Sequence, residues 1–197
     1  MTDLIARLAR AVHATDLAGF WFVNSHHALP FDWVFLAFTQ LGNGWITVPL
    51  TLALVGFRHR RQAAVPLMTC ALAFALSGLG NNTIKRFLEW RRPAEYFARQ
   101  DPTGATASRV HIVGEVLGGR TFPSGHTNTA FAAATLLVGL LGRRWWPALL
   151  VAGAVGWSRM YLGVHFPSDV VTGAVLGAGV TTAVVILMRK WRRPRPA

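Results

Sequence analysis

Charged side chains along this 197-residue chain are gathered at the ends of long uncharged runs. No Asp, Glu, Lys or Arg occurs from Trp33 to Phe57, from Gln62 to Ile84, or from Val170 to Met188. Each run is close to the roughly 20 apolar residues that cross a bilayer core. Thr127 to Leu141 and Trp145 to Ser158 are also apolar, with polar groups intruding at one end. These runs predict five membrane-spanning helices, and a sixth if the N-terminus supplies one. Gly42-Asn43-Gly44 interrupts the first run and predicts a kink whose freed backbone groups need neighbouring helices. Leu17 to Val23 is too short to span and lacks the charged, apolar and cleavage segments of a signal peptide. Before it, Leu4, Leu8 and Val12 recur at helical spacing with Arg7 and Arg10 elsewhere around the helix, which predicts an amphipathic helix on the membrane surface. The expected fold class is therefore all-α: a polytopic transmembrane helical bundle of five to six spans with an N-terminal amphipathic interfacial helix.

Composition sharpens this picture. Hydrophobic residues make up 52% and charged residues only 14%, which is apolar for a soluble domain of this length. The single cysteine, Cys70, lies inside an apolar run; it excludes an internal disulfide and reads as packing. The formal net charge of +12 admits nucleic acid or anionic lipid as partner. Because the basic residues bracket apolar runs, membrane lipid is the expected partner and nucleic acid is not. Three short basic segments alternate along the chain: Arg58, Arg60 and Arg61; Arg143 and Arg144; and the tail from Arg189 to Arg195. By the positive-inside rule they share the cytoplasmic face. The whole chain, 1–197, then reads as one integral membrane domain, with an interfacial segment at 1–30, an extracytoplasmic loop at 94–120 and a cytoplasmic basic tail at 189–197. The pattern specifies no oligomeric state.

Three polar clusters fall on the opposite face. Lys85 is followed after six residues by Arg92 and Pro93; Pro123-Ser124-Gly125-His126 comes next; Ser158 and Arg159 are then followed by His165 and, four residues on, Asp169. Lys85, Arg92 and Arg159 supply three cations, two of them guanidinium forks suited to a dianionic phosphate. Pro123 is preset for a first helical turn, so Ser124, Gly125 and His126 are expected to present backbone N–H groups at a helix start, where free donors and the helix dipole attract anions. Gly125 allows close approach of the backbone. Pro167 marks another helix start, placing His165 just before it and Asp169 within its first turn. At i and i+4 the carboxylate reaches the imidazole, fixes one tautomer and leaves the other ring nitrogen as a nucleophile. His126, on a different helix, suits proton donation to a leaving oxygen.

Other polar residues have simpler readings. His13, His26, His27, His59 and His111 read as hydrogen-bonded interface groups. Arg86, Arg91, Arg99, Arg109 and Arg120 read as headgroup contacts, Glu89 as a helical partner of Arg92 or Arg86, and Trp90, Trp145, Trp146 and Trp191 as interfacial anchors. Residues 94–120 exceed an ordinary connection and read as a lid or substrate-facing flap, with Tyr96 and Phe97 dipping into the interface.

The three clusters, from Lys85 to Asp169, resemble the signature blocks of the type 2 phosphatidic acid phosphatase family. These membrane lipid phosphatases share an active-site pattern with vanadium haloperoxidases and glucose-6-phosphatase. The resemblance implies that His165 attacks phosphorus to form a phosphohistidine, that Asp169 orients it, and that His126 protonates the leaving group. It implies that Lys85, Arg92, Ser124, Gly125 and Arg159 hold the phosphoryl oxygens, with Pro93, Pro123 and Ser158 as supporting motif residues. No metal and no cofactor is implied. The expected substrate is a lipid phosphate or pyrophosphate, with undecaprenyl pyrophosphate and phosphatidylglycerophosphate foremost. A lipid phosphotransferase or a lipid A phosphatase would use the same site. A haloperoxidase is disfavoured in a chain built for lipid, and a non-enzymatic acidic-lipid-binding module would leave the histidine and carboxylate placement without a use.

Overall fold

The computed structural model describes residues 2–88, 90–114 and 119–191. Among them every regular element is helical: α1 (Thr2–Asn24), α2 (Leu29–Gln40), α3 (Gly44–His59), α4 (Ala64–Phe87), α5 (Pro93–Gln100), α6 (Gly125–Leu141), α7 (Pro147–Tyr161) and α8 (Pro167–Trp191). Glu89, the tail beyond Trp191, and the side chains of Leu4, Leu8 and Arg10 lie outside the described residues, as do the expectations placed on them.

Local chemistry sets the helix boundaries. The Asn43 side chain accepts the Trp45 N–H at 3.1 Å and caps α3, while the Thr47 hydroxyl donates to Leu41 O at 2.7 Å. Those two bonds satisfy backbone groups freed at the junction. The expected kink in the run from Trp33 to Phe57 is thus a complete break into α2 and α3. Pro147 and Pro167 open α7 and α8, and Asp169 in the first turn of α8 and Arg189 with Lys190 in its last turn complement the helix dipole.

Helix α6 is the centre of the bundle, packed against α3, α4, α7 and α8. Its contact with α8 is close because Gly173 and Gly177 of α8 lie directly on the α6 backbone at Ser124 and Asn128, where a Cβ would overlap main-chain atoms. Val55, Cys70, Ala73, Leu136, Val184 and Val185 form one buried cluster among α3, α4, α6 and α8. Ala130 and Ala134 meet Ala152 and Val155 between α6 and α7.

Large apolar side chains also cover the outside, including Leu50, Leu72, Leu76, Leu79, Leu150, Val171, Val175 and Leu187. Such a surface suits lipid rather than water. Among the described residues two helices, α4 and α8, are long and apolar enough to cross a membrane. At about 1.5 Å per residue, their 24 and 25 residues exceed a hydrocarbon core of about 30 Å. The basic ends converge: His59 Nε2 lies 3.2 Å from Leu140 O, and Arg189 donates to Gly139 O. The other ends of α4, α6, α7 and α8 carry Lys85, His126, Arg159 and Asp169.

Helix α1 extends further than the amphipathic segment at residues 1–15 and buries Phe20 and Val23. It runs across the polar-cluster end of the bundle. Asp16 accepts from the Ser168 N–H at 2.7 Å and from its hydroxyl at 2.6 Å, Phe20 packs on Phe97 and Phe166, and the Asn24 amide donates to Tyr161 O at 2.9 Å. The connection at 94–120 contains helix structure of its own in α5. Phe97 does not dip into the interface but turns inward, 5% exposed, because Phe20, Trp21 and Phe166 give it an aromatic socket.

Candidate active site

The turn between α7 and α8 holds the histidine. Val164 and His165 donate their N–H groups to Arg159 O at 3.1 and 3.2 Å, and Gly163, with φ of 74°, reverses the chain. A side chain at Gly163 would be strained in that conformation and would overlap His111 O. His165 Nδ1 then lies 3.0 Å from Asp169 Oδ2, with both residues buried. The same carboxylate oxygen accepts from the Phe166 N–H at 2.9 Å and from the Thr121 hydroxyl at 2.7 Å. Since Nδ1 is engaged, Nε2 is the nitrogen left to meet a substrate.

Cations surround this pair. Arg92 donates to Val164 O at 3.1 Å, tying its guanidinium to the histidine turn. Arg159 is 5% exposed, and its NH1 donates to the Thr39 hydroxyl at 2.6 Å. Lys85 is in the last turn of α4. Lys85, Arg92 and Arg159 feel one another's charge, and Asp169 attracts Lys85 and Arg92. Three like charges gathered around one carboxylate leave an excess of positive potential suited to a multiply charged anion.

The start of α6 completes the constellation. Ser124 is the N-cap, its side chain accepting the Thr127 N–H at 3.4 Å and the Thr127 hydroxyl at 2.9 Å. Pro123 therefore precedes the cap instead of standing in the first turn. The Ser124 N–H is also committed, donating to Asp169 O at 3.0 Å, so the expectation that it is exposed for an anion does not hold. Gly125 and His126 occupy the first helical positions. The α2–α3 junction lies on His126 so closely that a Cβ at Gly42 would fall 2.8 Å from His126 O. Ser158 is buried and its hydroxyl donates within α7 to Val155 O at 2.6 Å. Pro93 is buried at the first position of α5, and Arg92 before it is extended, as a residue preceding proline must be.

Burial pushes the His165 imidazole down to about 4 from its ordinary 6.5; the Asp169 hydrogen bond opposes this, and Arg159 and Arg92 add to it. A lowered value means that the ring gains its second proton only as pH falls through about 4. In the ligand-free protein the imidazole is therefore expected to remain neutral, with its proton on Nδ1, at pH 5.5. Nitrogen-15 spectra of histidine-labelled protein in detergent check this, and a doubly protonated His165 at that pH would contradict it.

Two residues that sequence reasoning missed are Thr121 and Thr39. Thr121 is fully buried, with its hydroxyl also 2.8 Å from His165 Nδ1, and Thr39 holds Arg159. Neither stands in a local pattern with its partner. The remaining histidines are hydrogen-bonded away from this centre: His111 Nε2 lies 2.9 Å from Asp32 and stacks on His27, while His13 meets the Tyr96 hydroxyl at 2.9 Å. Arg91 pairs with Glu95 at 2.9 Å.

A helical bundle with an apolar exterior, carrying a buried histidine and carboxylate under a cluster of cations, defines an integral membrane protein with an anion-directed site. The chain belongs to the PAP2 superfamily, whose family model matches residues 66–193. It is 33% identical over 162 residues to the lipid A 4'-phosphatase of Bacteroides thetaiotaomicron, covering 79% of this chain and 69% of that protein. Its fold is similar to the crystal structure of Aquifex aeolicus LpxE, with a TM-score of 0.72, 28% identity, and coverage of 87% of this chain and 94% of that one. The transmembrane PAP2-type phosphatidylglycerolphosphate phosphatase of Bacillus subtilis gives a TM-score of 0.71 at 25% identity, over 94% of this chain and 90% of that one.

Proposed function

We propose that this protein is a membrane lipid phosphatase that hydrolyses a lipid phosphate or pyrophosphate through a phosphohistidine on His165. The observation that carries the reading is the Asp169-bound imidazole, with Nδ1 held and Nε2 left, beside Lys85, Arg92 and Arg159. Nε2 attacks the terminal phosphorus while its bond to the leaving oxygen breaks, which is the lipid alcohol oxygen in a monophosphate and the bridging oxygen in a pyrophosphate, and His126 gives that oxygen its proton. Water then attacks the phosphohistidine, His126 takes up the water proton, and inorganic phosphate leaves. A loose phosphoryl-transfer transition state needs chiefly alignment and charge stabilisation. Lys85, Arg92, Arg159 and the helix start at Gly125 supply the stabilisation.

Contacts along α1 support a particular placement in the membrane. Asp16, Phe20 and Asn24 all touch elements at the site end of the bundle, which supports α1 lying across that surface. In this reading α4 and α8 are the full-length spans, and the shorter apolar helices α3, α6 and α7 packed beside them bring the number to five. The site then faces the extracytoplasmic headgroup plane, and the basic ends of α3 and α8 at Arg58 and Arg189 face the cytoplasm, as in a bacterial inner membrane. One domain accounts for the whole chain. Undecaprenyl pyrophosphate and phosphatidylglycerophosphate are the substrates proposed first; the likeness to a lipid A 4'-phosphatase adds lipid A as a second reading.

Phosphate release by purified protein from a panel of these three lipids, with and without a chelator, tests the proposal. Release that ignores the chelator and differs among the lipids is expected. Loss of activity on chelation, or recovery of the phosphoryl group on another lipid instead of as free phosphate, would contradict it.

A further inference from the structure

The segment just before the Pro-Ser-Gly-His block contributes a side chain that neither the motif nor the sequence pattern marks. The Thr121 N–H donates to Trp90 O at 3.0 Å, so the chain entering α6 is joined to the segment that leads into Arg92. The Trp90 and Phe122 rings pack with centroids 4.6 Å apart beside that bond. Thr121 is thereby fixed, with no solvent exposure, and its hydroxyl oxygen sits between His165 Nδ1 at 2.8 Å and Asp169 Oδ2 at 2.7 Å.

A threonine hydroxyl has one hydrogen to give and lone pairs to receive. Asp169 Oδ2 accepts from the Thr121 hydroxyl as it does from the Phe166 N–H, so the Thr121 hydrogen is spent there and the Thr121 oxygen faces Nδ1 as an acceptor. Had the hydroxyl donated to Nδ1 instead, the ring proton would stand on Nε2, and Asp169 would lose a donor. Its Oδ1 already has no hydrogen-bond partner among the described residues, so that loss would leave a buried carboxylate still less satisfied. The arrangement that matches every donor with an acceptor shares the Nδ1 hydrogen between Asp169 Oδ2 and Thr121 Oγ1, leaving the lone pair on Nε2.

The geometry points to Thr121 as a positioning residue that, with Asp169, locks His165 in the Nδ1–H tautomer and holds its ring toward the cation cluster. This inference rests on the reading of His165 as the nucleophile. Hydrogen-bond partners of functional histidines are worth on the order of 10- to 100-fold where they have been removed from behind metal ligands, and a similar loss applies here. Thr121→Val keeps the shape and removes the hydroxyl, whereas Thr121→Ser keeps the hydroxyl.

The test compares both variants with wild type and His165→Ala in steady-state hydrolysis of the best lipid of the panel, together with nitrogen-15 spectra of the His165 ring. Thr121→Val is expected to lower kcat by about 10- to 100-fold with KM within about twofold, and to give a mixture of imidazole tautomers; Thr121→Ser is expected to stay within about threefold of wild type. If Thr121→Val does not accumulate as folded protein, Thr121→Ala, which also lacks the hydroxyl, takes its place against the same expectation. A hydroxyl-free variant with wild-type kcat and a pure Nδ1–H signal, beside an inactive His165→Ala, would overturn the role of Thr121 alone. Wild-type turnover by His165→Ala would instead overturn the nucleophile reading and the inference that rests on it.

Discussion

His165→Ala is expected to reduce kcat/KM by a factor on the order of 10⁴ to 10⁶, the range seen when a covalent catalyst loses its nucleophile. The loss should fall almost entirely on kcat. Lys85, Arg92 and Arg159 remain in place in that variant, and their fields are what a phosphate meets first. Substrate affinity measured by equilibrium binding in detergent should therefore change little. The variant should also fold, because the buried ring gives way to a smaller side chain while Asp169 keeps its bonds to Thr121 and the Phe166 N–H. Turnover within tenfold of wild type would remove His165 from the chemistry.

Arg159→Met is expected to have the second largest effect, about 10²- to 10³-fold in kcat/KM, comparable to removing one preorganised donor from a transition-state site. The guanidinium is almost wholly buried, so its charge is weakly screened, and the Thr39 hydroxyl fixes its orientation before substrate arrives. Arg159→Lys should recover little of this loss, because an ammonium lacks the planar fork that addresses a phosphate oxygen and Thr39 together. Steady-state kinetics on the same lipid decide the matter. Full activity in Arg159→Lys would reduce the role of Arg159 to that of a diffuse charge.

Which parts of the site could be read from sequence follows from distance along the chain. His165 and Asp169 are four residues apart with a helix-starting proline between them, so their contact is a property of one helical turn. The cations and the helix start at Gly125 could be named because their residue types are rare at the edge of an apolar run. Thr121 and Thr39 act on partners 44 and 120 residues away, through hydroxyls that in sequence look like any others. The Ser124 N–H looked available for the same reason: the carbonyl that takes it belongs to Asp169, on another helix.

The fold divides in the same way. Uncharged runs located α4, α6, α7 and α8, since length and apolarity are local properties. The break between α2 and α3 depends on the Asn43 cap and the Thr47 back-bond, which convert a glycine-flanked kink into two helices. Phe97 reads as a membrane-dipping side chain in sequence, and only the fold places Phe20 of α1 and Phe166 beside His165 around it. Aromatic residues at an interface and aromatic residues in a small core have the same local signature.

The central claim is that His165 becomes covalently phosphorylated during turnover. Rapid mixing of the protein with its best lipid substrate, an alkaline quench that preserves phosphohistidine, and peptide mass spectrometry test it directly. A phosphoryl group on the peptide carrying His165, formed and lost at rates at least equal to kcat and absent from His165→Ala, is the predicted result. A phosphoryl group on His126 or any other side chain, or steady turnover with His165 unmodified under conditions where breakdown limits the rate, would contradict the account.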